Sequence, residues 1–537
     1  MKNKNLPRAP LRPPAGPTGL RTTFAHLPVP LRRAGRAILI LAALFYAGPA
    51  TRAAVAPATP PADGVWRILP VGDSITEGGD TFAEWRTPLW ESLTGAGYFV
   101  RYVGSRSRGG RLGALKHEGH GGKNAEYIAE RLATVAEQHP ADVLLLHAGH
   151  NHSIEENPVP GIVAAQEAII ASCRAANPRV IVLLAQVIPS AKLPKYGYIP
   201  ELNTALAGLA SRLDTPASPV RIVDQASGFD PLADTIADRV HPNPQGATKM
   251  ATRWFEALRA VLPPPAFPAP APRLVDYKNT PRGPLRLHVF TPPAEAPPAP
   301  LAGRPAIVFF FGGGWFQGTP VQYYPECRHF AARGYVAISA DYRVASTHRS
   351  SPFDAVADAK SALRYLRARA TELGIDPDRI VAAGGSAGGH LAAATACLPG
   401  LDDLSDDLSI NPRPSALVLW YGVIDNGPGG YGHDRIGARY PEFSPFYNVS
   451  PGFPPTLFFL GTADEHIPVA TARAFQEKIR AAGSRCELML FEGATHPVYN
   501  YRLPASATKR AECLQAADAF LDAVWAGTPT RRTKTLP

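Results

Sequence analysis

The chain has 537 residues, of which 45% are apolar and 19% charged, so it is too long for one typical core and its composition excludes a largely disordered protein. Its formal net charge of +10 comes almost entirely from residues 1–56, which hold nine basic residues and no acidic one. Because the remainder is close to neutral, we exclude nucleic acid as a partner.

The first predicted element is a secretory signal. An eleven-residue apolar stretch at 37–47 follows three arginines at 32–36. This stretch is too short to cross a bilayer, which needs about 20 apolar residues, and an Ala-x-Ala cleavage option follows at 54–56. We expect residues 1–56 to be a signal peptide and leader, and the protein to be secreted or periplasmic with no stable membrane span. A retained anchor is the alternative.

Proline divides the rest of the chain into two regions. The segment PPPAFPAPAP, between Leu262 and Arg273, predicts a stiff and extended linker. We therefore expect one domain at 65–262, a linker at 263–273, a second domain at 274–526 and a tail at 527–537.

In the first region, short apolar segments alternate with helical patterns. The strand-like segments lie at 67–71, 98–103, 142–147, 179–187 and 220–224. Such near-continuous apolar strands are typical of a parallel sheet covered on both faces. A helix is indicated between them by apolar residues at helical spacing, namely Phe82, Trp85, Leu89 and Leu93. The pattern predicts a three-layer α/β domain whose chemistry lies beyond the carboxyl ends of the strands.

The first region contains the groups that serine hydrolysis requires: a nucleophile, a base, an orienting carboxylate and oxyanion donors. Ser74 directly follows the first strand in GDSITEGG, and Asp238 precedes His241 by three residues, which lets the carboxylate reach the imidazole. Gly122 and Asn151 follow the second and third strands and are candidate donors. Taken alone, Gly-Asp-Ser is equally typical of a helix cap.

These motifs occur in the order of the SGNH (GDSL-like) hydrolases, and most of residues 65–262 resemble that family. The resemblance implies a flavodoxin-like three-layer fold and the hydrolysis of esters. It further implies that Ser74 is the nucleophile and that His241 is the base, oriented by Asp238.

The same resemblance implies an oxyanion hole. Its donors would be the backbone N–H groups of Ser74 and Gly122 and the side chain of Asn151. The chain departs from the family at His152, where the family usually has Asp after the Asn. Because Asn151 is present, this departure concerns the shape of the loop more than the chemistry.

A histidine-rich pattern raises a metal site as an alternative. HEGH at 117–120, with His117 and His120, lacks the spacing of a zinc-binding HExxH helix. His147, His150 and His152 straddle a strand end, where we expect side chains to alternate between faces. No Cys-x-x-Cys pair is present. We therefore expect neither a metal nor another cofactor.

The second region predicts another α/β sheet, which opens with strands compatible with antiparallel pairing. A long helix is indicated at 353–373. The strand-like segments lie at 285–290, 306–311, 335–342, 379–385, 416–422, 456–461 and 486–493.

A second candidate nucleophile, Ser386, lies in GGSAG at 384–388, between an apolar strand and an alanine-rich helix. This arrangement is typical of a nucleophile elbow, whose tight turn needs glycine on both sides of the serine. After such a serine, the acid and then the base are expected along the chain. Asp464 and His496 follow Ser386 in this order, and each lies just beyond a strand. His466 is a rival base, but it shares a loop with Asp464.

Residues 274–526 resemble the α/β-hydrolase fold, in its hormone-sensitive-lipase-like and acetyl-xylan or feruloyl esterase branches. The backbone N–H groups of Gly313, Gly314 and Ala387 are the candidate oxyanion donors. Phe311 stands where that group commonly has His, but backbone donors do not depend on this side chain.

Three residues near these motifs are candidate substrate contacts. Trp85 and Arg86 look more like the carbohydrate-esterase branch of the SGNH family, and Arg86 could meet a sugar hydroxyl or an acetyl carbonyl. Trp85 is equally well explained as a core residue of its helix. Trp315, directly after the glycines of the second region, is the third candidate.

The sequence thus predicts two esterases in one exported chain. Two such sites suit a substrate with several ester groups, and acetylated plant polysaccharide such as xylan, also feruloylated, fits this description, as do small esters. A lipase and lysophospholipase pair is one alternative. Another is a single active esterase whose companion domain serves as a carbohydrate-binding module.

Overall fold

The structure, a computed structural model, describes residues 59–108, 115–265, 271–499 and 506–527. The predicted signal peptide at 1–56, residues 266–270 of the predicted linker and nearly all of the predicted tail lie outside the described residues. Among the helices within those ranges, none is both long and apolar enough to cross a membrane.

The first region, residues 59–265, alternates strands and helices. Its strands are β1 (Trp66–Gly72), β2 (Val100–Tyr102), β3 (Arg106–Arg108), β4 (Leu115–Gly119), β5 (Val143–His147), β6 (Ile181–Ala185) and β7 (Val220–Val223). Its helices are α1 (Ser74–Glu77), α2 (Arg86–Ala96), α3 (Ala125–Gln138), α4 (Val159–Ala176), α5 (Ile199–Leu213) and α6 (Pro244–Val261).

These strands form a sheet of order β3-β4-β1-β5-β6-β7, in which β2 also pairs with β1. Every pairing is parallel except β3 with β4. Alternate residues face opposite sides: Leu144 and Leu146 pack with α3, α4 and α5, whereas Val143 and Leu145 pack with α2 and α6. The predicted three-layer α/β architecture is confirmed.

Two features of the first region differ from the sequence-based expectation. Strands β3 and β4 carry mostly polar residues, so apolar periodicity could not reveal them. Helix α2 begins only at Arg86, and Phe82 therefore lies in the preceding loop instead of on a helix face. The Gly-Gly-Asp segment before Phe82 explains the later start, since such residues favour turns.

The second region contains β8 (Arg273–Thr280), β9 (Gly283–Phe290), β10 (Arg304–Phe310), β11 (Val336–Ala340), β12 (Ile375–Gly385), β13 (Ala416–Trp420), β14 (Thr456–Gly461) and β15 (Cys486–Phe491). Its helices are α7 (Tyr324–Ala332), α8 (Ala345–His348), α9 (Pro352–Ala368), α10 (Ala370–Leu373), α11 (Ala387–Cys397), α12 (His433–Ile436), α13 (Tyr440–Phe443), α14 (Val469–Ala481) and α15 (Ala507–Ala526).

The second sheet has eight strands in the order β15-β14-β13-β12-β10-β11-β9-β8. The pairs β8–β9 and β9–β11 are antiparallel and the others are parallel, which confirms the antiparallel start. Strand β8 was not predicted, because it is largely exposed and lacks an apolar pattern. One continuous core lies across this sheet and its helices.

Candidate active sites

Ser74 lies at the carboxyl edge of the first sheet, where β1 passes directly into α1. Asp73 caps this helix, since its Oδ1 accepts a hydrogen bond from the Ile75 N–H at 3.0 Å. Gly72 is required at the strand end, because a Cβ there would lie 2.2 Å from the carbonyl oxygen of His147. The tight turn leaves the Ser74 side chain partly exposed.

The structure brings Ser74, His241 and Asp238 into one hydrogen-bond chain. The Ser74 hydroxyl donates to His241 Nε2 at 2.8 Å, and His241 Nδ1–H donates to Asp238 Oδ2 at 2.5 Å. Asp238 Oδ1 accepts from the N–H groups of Val240 and His241. Burial opposes ionisation of Asp238, but these hydrogen bonds outweigh it and hold the pKa of the carboxyl below its ordinary value.

This first constellation is open to solvent. The side chains of His241 and Asp238 are 22% and 37% exposed. The Phe82 ring stacks on the His241 ring with their centroids 4.0 Å apart. Sequence reasoning missed this contact, because Phe82 lies in a loop far from His241 along the chain and no local pattern links the two.

The candidate oxyanion loop lies beside Ser74. A Cβ on Gly121 would stand 3.8 Å from the Ser74 Cβ, and the Gly121 N–H already donates to the Glu77 carboxylate at 2.6 Å. Gly122 adopts a φ of 71°, and its N–H has no hydrogen-bond partner among the described residues. Asn151 Nδ2 donates to the carbonyl of Lys123 at 2.9 Å, which fixes the orientation of the amide.

Trp85 and Arg86 are not placed to contact a substrate, which corrects the expectation. Trp85 is fully buried and packs against Trp254, with ring centroids 5.4 Å apart. Arg86 is 1% exposed, and its guanidinium donates to the backbone carbonyls of Thr76, Glu77 and Leu115. Arg86 therefore joins the end of α1 to β4 and has a structural role.

The histidines near β5 do not alternate as expected. The rings of His147 and His150 lie nearly parallel with centroids 5.9 Å apart, and both approach Asp73. One ligand-type atom from each of these three residues lies within 4.8 Å of the other two. His152 instead lies between two glutamates. Two imidazoles and a carboxylate are a donor set that a divalent cation could use.

Ser386 occupies a strained turn between β12 and α11. Its φ of 55° and ψ of −125° lie outside the regions favoured by non-glycine residues. Its N–H donates to the carbonyl of Trp420 at 3.0 Å. A Cβ at Gly384 or Gly388 would lie 2.5 or 2.0 Å from the carbonyl oxygen of Phe310, so both glycines are needed for the turn to pack against β10.

Ser386, His496 and Asp464 form a second hydrogen-bond chain. The Ser386 hydroxyl donates to His496 Nε2 at 2.9 Å, and His496 Nδ1–H donates to Asp464 Oδ2 at 2.8 Å. Burial opposes ionisation of Asp464, but hydrogen bonds from His496 and from two backbone N–H groups prevail and lower its pKa. The rival base, His466, contacts the ring of His496 but makes no hydrogen bond to Ser386 in the described part of the chain.

The glycine loop after β10 presents backbone to this site. Gly313 and Gly314 have φ values of 132° and 62°, which only glycine adopts readily at both positions. Ala387 supplies the first N–H of α11 beside Ser386. The Phe311 ring stacks on Tyr342 in the core, and Tyr342 donates to the Phe311 carbonyl at 2.7 Å. The loop is thus held without the histidine side chain that related proteins commonly have.

A pocket of about 420 Å³ lies over Ser386. Trp315 does not line it, which corrects the expectation, because the ring is 1% exposed and packs against His390 and Phe443. Sequence reasoning missed several side chains that line the pocket together with Ser386 and His496, among them Phe316, Tyr421, Tyr431 and Arg435.

Each region thus combines an α/β sheet with a serine that is hydrogen-bonded to a histidine, which is in turn hydrogen-bonded to a carboxylate. This is the geometry that serine hydrolases use. A family model described as GDSL-like Lipase/Acylhydrolase family matches residues 71–249, and a model described as BD-FAE matches residues 289–428. Both resemblances seen in the sequence are therefore confirmed.

Individual proteins are similar over part of the chain. "Esterase LipC" of Mycobacterium tuberculosis is 33% identical over 37% of this chain and 54% of its own length. "Carboxylesterase NlhH" of the same organism is 31% identical over 42% of this chain and 77% of its own length. The apo form of Thermogutta terrifontis esterase 2 is 41% identical over 49% of this chain and 97% of that one, with a TM-score of 0.45.

The chain spans about half the length of the first curated relatives it matches. Its coverage of NlhH is larger, at 77%. The chain belongs to the carboxylesterases of the α/β-hydrolase fold, and it also carries a GDSL-like lipase/acylhydrolase (SGNH) domain.

Proposed function

We propose that the chain is an exported carboxylic ester hydrolase with two separate serine sites that remove acetyl, and also feruloyl, groups from plant polysaccharide such as xylan. The observation that carries this proposal is the pair of Ser-His-Asp hydrogen-bond chains, one at the edge of each sheet. The two family matches support esterase chemistry in both regions. Export is supported only by the sequence of residues 1–56.

At the first site, His241 would take the proton of Ser74 as Oγ attacks the ester carbonyl carbon. Asp238 would stabilise the imidazolium that forms. The N–H groups of Ser74 and Gly122 and the amide of Asn151 would hold the oxyanion. Transfer of the same proton from His241 to the sugar oxygen releases the alcohol, and water then cleaves the acyl-serine by the same steps in reverse.

At the second site, Ser386, His496 and Asp464 would play the corresponding roles. The N–H groups of Gly313, Gly314 and Ala387 would face the oxyanion. The two sites differ in access: the first is open, which suits a bulky polymer, whereas the pocket of about 420 Å³ suits a small acyl or aryl group.

We also propose that the two regions are separate domains, at 65–262 and 274–526, joined by the linker at 263–273. Their hydrophobic clusters support this division, because none of the three contains residues from both sides of the linker. Each domain would then carry its own complete site.

The test is to make Ser74→Ala, Ser386→Ala and the double variant, with the surface variant Ser92→Ala as a control. Acetate release from acetylated xylan and cleavage of methyl ferulate would be measured for each. We expect each single variant to abolish the activity of its own site, by about 10⁶-fold in kcat, and the control to match the wild type.

Different losses in the two single variants would support two active sites. A double variant as active as the wild type would refute the proposal. Preferential cleavage of triglycerides and lysophospholipids would favour the lipase pair instead. Xylan binding without turnover by one region would identify that region as a carbohydrate-binding module.

A further inference from the structure

The pocket over Ser386 contains an arginine. Arg435 lines this pocket together with Ser386 and His496, the candidate nucleophile and base of the second site. Among the described residues that line the pocket, none is an aspartate or a glutamate. Because the pocket has a volume of about 420 Å³, one small ester can touch Ser386 and Arg435 at the same time.

The positive charge of Arg435 has no close countercharge in the described part of the chain. Asp434 alone approaches it, with 4.0 Å between Asp434 Oδ1 and Arg435 Nε. The Asp434 side chain is 83% exposed, so water screens this contact. An arginine stays protonated under the conditions in which proteins fold. Arg435 therefore presents a positive charge to the pocket that no neighbouring carboxylate neutralises.

Two rings and one carbonyl hold the guanidinium of Arg435 in place. Its central carbon lies 5.4 Å from the centre of the Trp315 ring and 5.6 Å from that of the Tyr431 ring. Its Nη1 donates to the Gly314 carbonyl at 2.5 Å. A guanidinium has five N–H donors, and no other acceptor in the described part of the chain takes one of them. A cation that is already ordered loses little conformational entropy when it binds a ligand.

The Tyr431 hydroxyl lies beside this guanidinium. A Cβ on Gly314 would stand 2.7 Å from the Tyr431 hydroxyl oxygen and 3.6 Å from Arg435 Nη1. Both groups therefore lie over the same side of Gly314, and both residues line the pocket. A hydroxyl next to a guanidinium provides two neighbouring donors, which match the two oxygens of a carboxylate.

We propose that Arg435, together with the Tyr431 hydroxyl, binds a carboxylate of the substrate, so that the second site prefers esters that carry a negative charge. This inference rests on the proposed role of Ser386 as the nucleophile. Arg435 is then a specificity-determining residue, because it binds a part of the substrate that does not react. In a polysaccharide, an acidic sugar next to the acylated one would carry this carboxylate.

The contact with Gly314 gives Arg435 a competing role, which is to support the oxyanion loop. The two roles predict different kinetics. Loss of loop support would weaken the stabilisation of the oxyanion and lower kcat for every ester. Loss of a carboxylate contact would raise KM for charged esters and leave kcat unchanged. Loop support uses one N–H group and needs no charge, so it does not account for a cation at this position.

The experiment uses the full chain with Ser74→Ala, so that only the second site is assayed. The variants are Arg435→Gln, Arg435→Lys and Tyr431→Phe, with Arg439→Gln as a matched control. Arg439 lies four residues further along the same segment, but it pairs with Glu442 and stacks over the Phe353 ring. It is not among the residues that line the pocket.

Two pairs of small esters serve as probes, and the members of each pair differ in charge. In p-acetoxybenzoate and p-acetoxybenzamide, the variable group is in the alcohol part, and acetate release is measured. In monomethyl terephthalate and methyl terephthalamate, it is in the acyl part, and methanol release is measured. A preference confined to one pair would show on which side of the ester bond the carboxylate binds.

We expect the Ser74→Ala parent to have a KM about 10- to 100-fold lower for the charged member of at least one pair, which is the effect of a hydrogen bond to a charged group. Arg435→Gln should remove this preference by raising KM for the charged ester, with kcat within about threefold. Arg435→Lys should keep part of it, because the charge remains but the planar fork is lost.

Three further results would support the same assignment. Tyr431→Phe should raise KM for the charged ester by a smaller factor than Arg435→Gln, because it removes a neutral donor. Arg439→Gln should match the parent on all four esters. The preference of the parent should shrink in about 1 M salt, because salt screens the attraction between the two charges.

Two results would overturn the inference: a parent that prefers neither charged ester, or an Arg435→Gln variant that loses the same factor on charged and neutral esters. If the parent hydrolyses no ester at all, the proposed role of Ser386 fails. Calorimetric titration of the Ser74→Ala, Ser386→Ala protein with both charged esters would then still decide the carboxylate contact. Binding that Arg435→Gln abolishes would support it, and equal binding with and without Arg435 would refute it.

Discussion

The two candidate triads reach the same hydrogen-bond pattern by different routes. In the first, acid and base are three residues apart on one loop, and their side chains are 37% and 22% exposed. In the second, they follow the neighbouring strands β14 and β15, are 32 residues apart, and are 0% and 9% exposed. A triad can thus be assembled locally at an open edge or by tertiary contacts inside a pocket.

This difference has an electrostatic consequence. At the open site, water can solvate the imidazolium and so partly replace the effect of the carboxylate. At the buried site, water has little access to the imidazolium and cannot replace the carboxylate in this way. The carboxylate should therefore matter more at the second site than at the first.

Replacement of the carboxylate, by Asp464→Asn or Asp238→Asn, should give the largest difference between the two sites. We expect Asp464→Asn to lower kcat at the second site by about 10⁴-fold, because the imidazole loses its orienting partner. For Asp238→Asn, we expect about 10²-fold at the first site, because solvent can compensate there. Each variant is assayed in the background lacking the other serine, and equal losses would contradict the comparison.

The glycines of the two sites should also differ. Gly388→Ala places a Cβ 2.0 Å from the Phe310 carbonyl oxygen, and we expect a loss of at least about 3 kcal/mol in the unfolding free energy. In Gly122→Ala, the new Cβ has no atom within 4 Å. Only the backbone strain of an alanine at a φ of 71° remains, and this should lower the unfolding free energy by about 1 kcal/mol. Urea unfolding measures both, and a Gly388→Ala protein as stable as the wild type would show that the elbow tolerates a side chain.

Acid should weaken the buried carboxylate contact. The folded pKa of Asp464 lies below its unfolded value of about 3.9. Its stabilising contribution, about 2 kcal/mol, is therefore complete above about pH 5 and declines as the pH falls through the unfolded pKa and then the folded one. Asp464→Asn should show its full loss of stability at pH 5 to 7 and a smaller one at pH 3, as measured by urea unfolding. A loss that grows towards pH 3 would refute this assignment.

The smallest effect concerns Phe82, which stacks on the base of the open site. Phe82→Ala should lower kcat/KM at the first site about 10-fold, because the His241 ring loses its packing partner. Phe82→Leu, which retains apolar bulk, should have a kcat/KM between those of the wild type and Phe82→Ala. Steady-state assays in the Ser386→Ala background measure this effect, and a change at the second site instead would contradict it.

The sequence by itself determined the α/β class of both regions and the residues that could act as nucleophile, base and acid. These assignments depend on short patterns: glycines where a turn is too tight for a side chain, polar residues just after apolar strands, and their order along the chain. Such patterns are local, so backbone sterics and strand periodicity make them legible without coordinates.

Only the tertiary structure decided which neighbours complete each site. It buried Trp85, Arg86 and Trp315 in contacts with distant residues, and it brought Phe82 onto His241. It also turned His150 towards Asp73, although the two are far apart in sequence. Burial and side-chain direction depend on how helices pack across a sheet, and no local pattern encodes that packing.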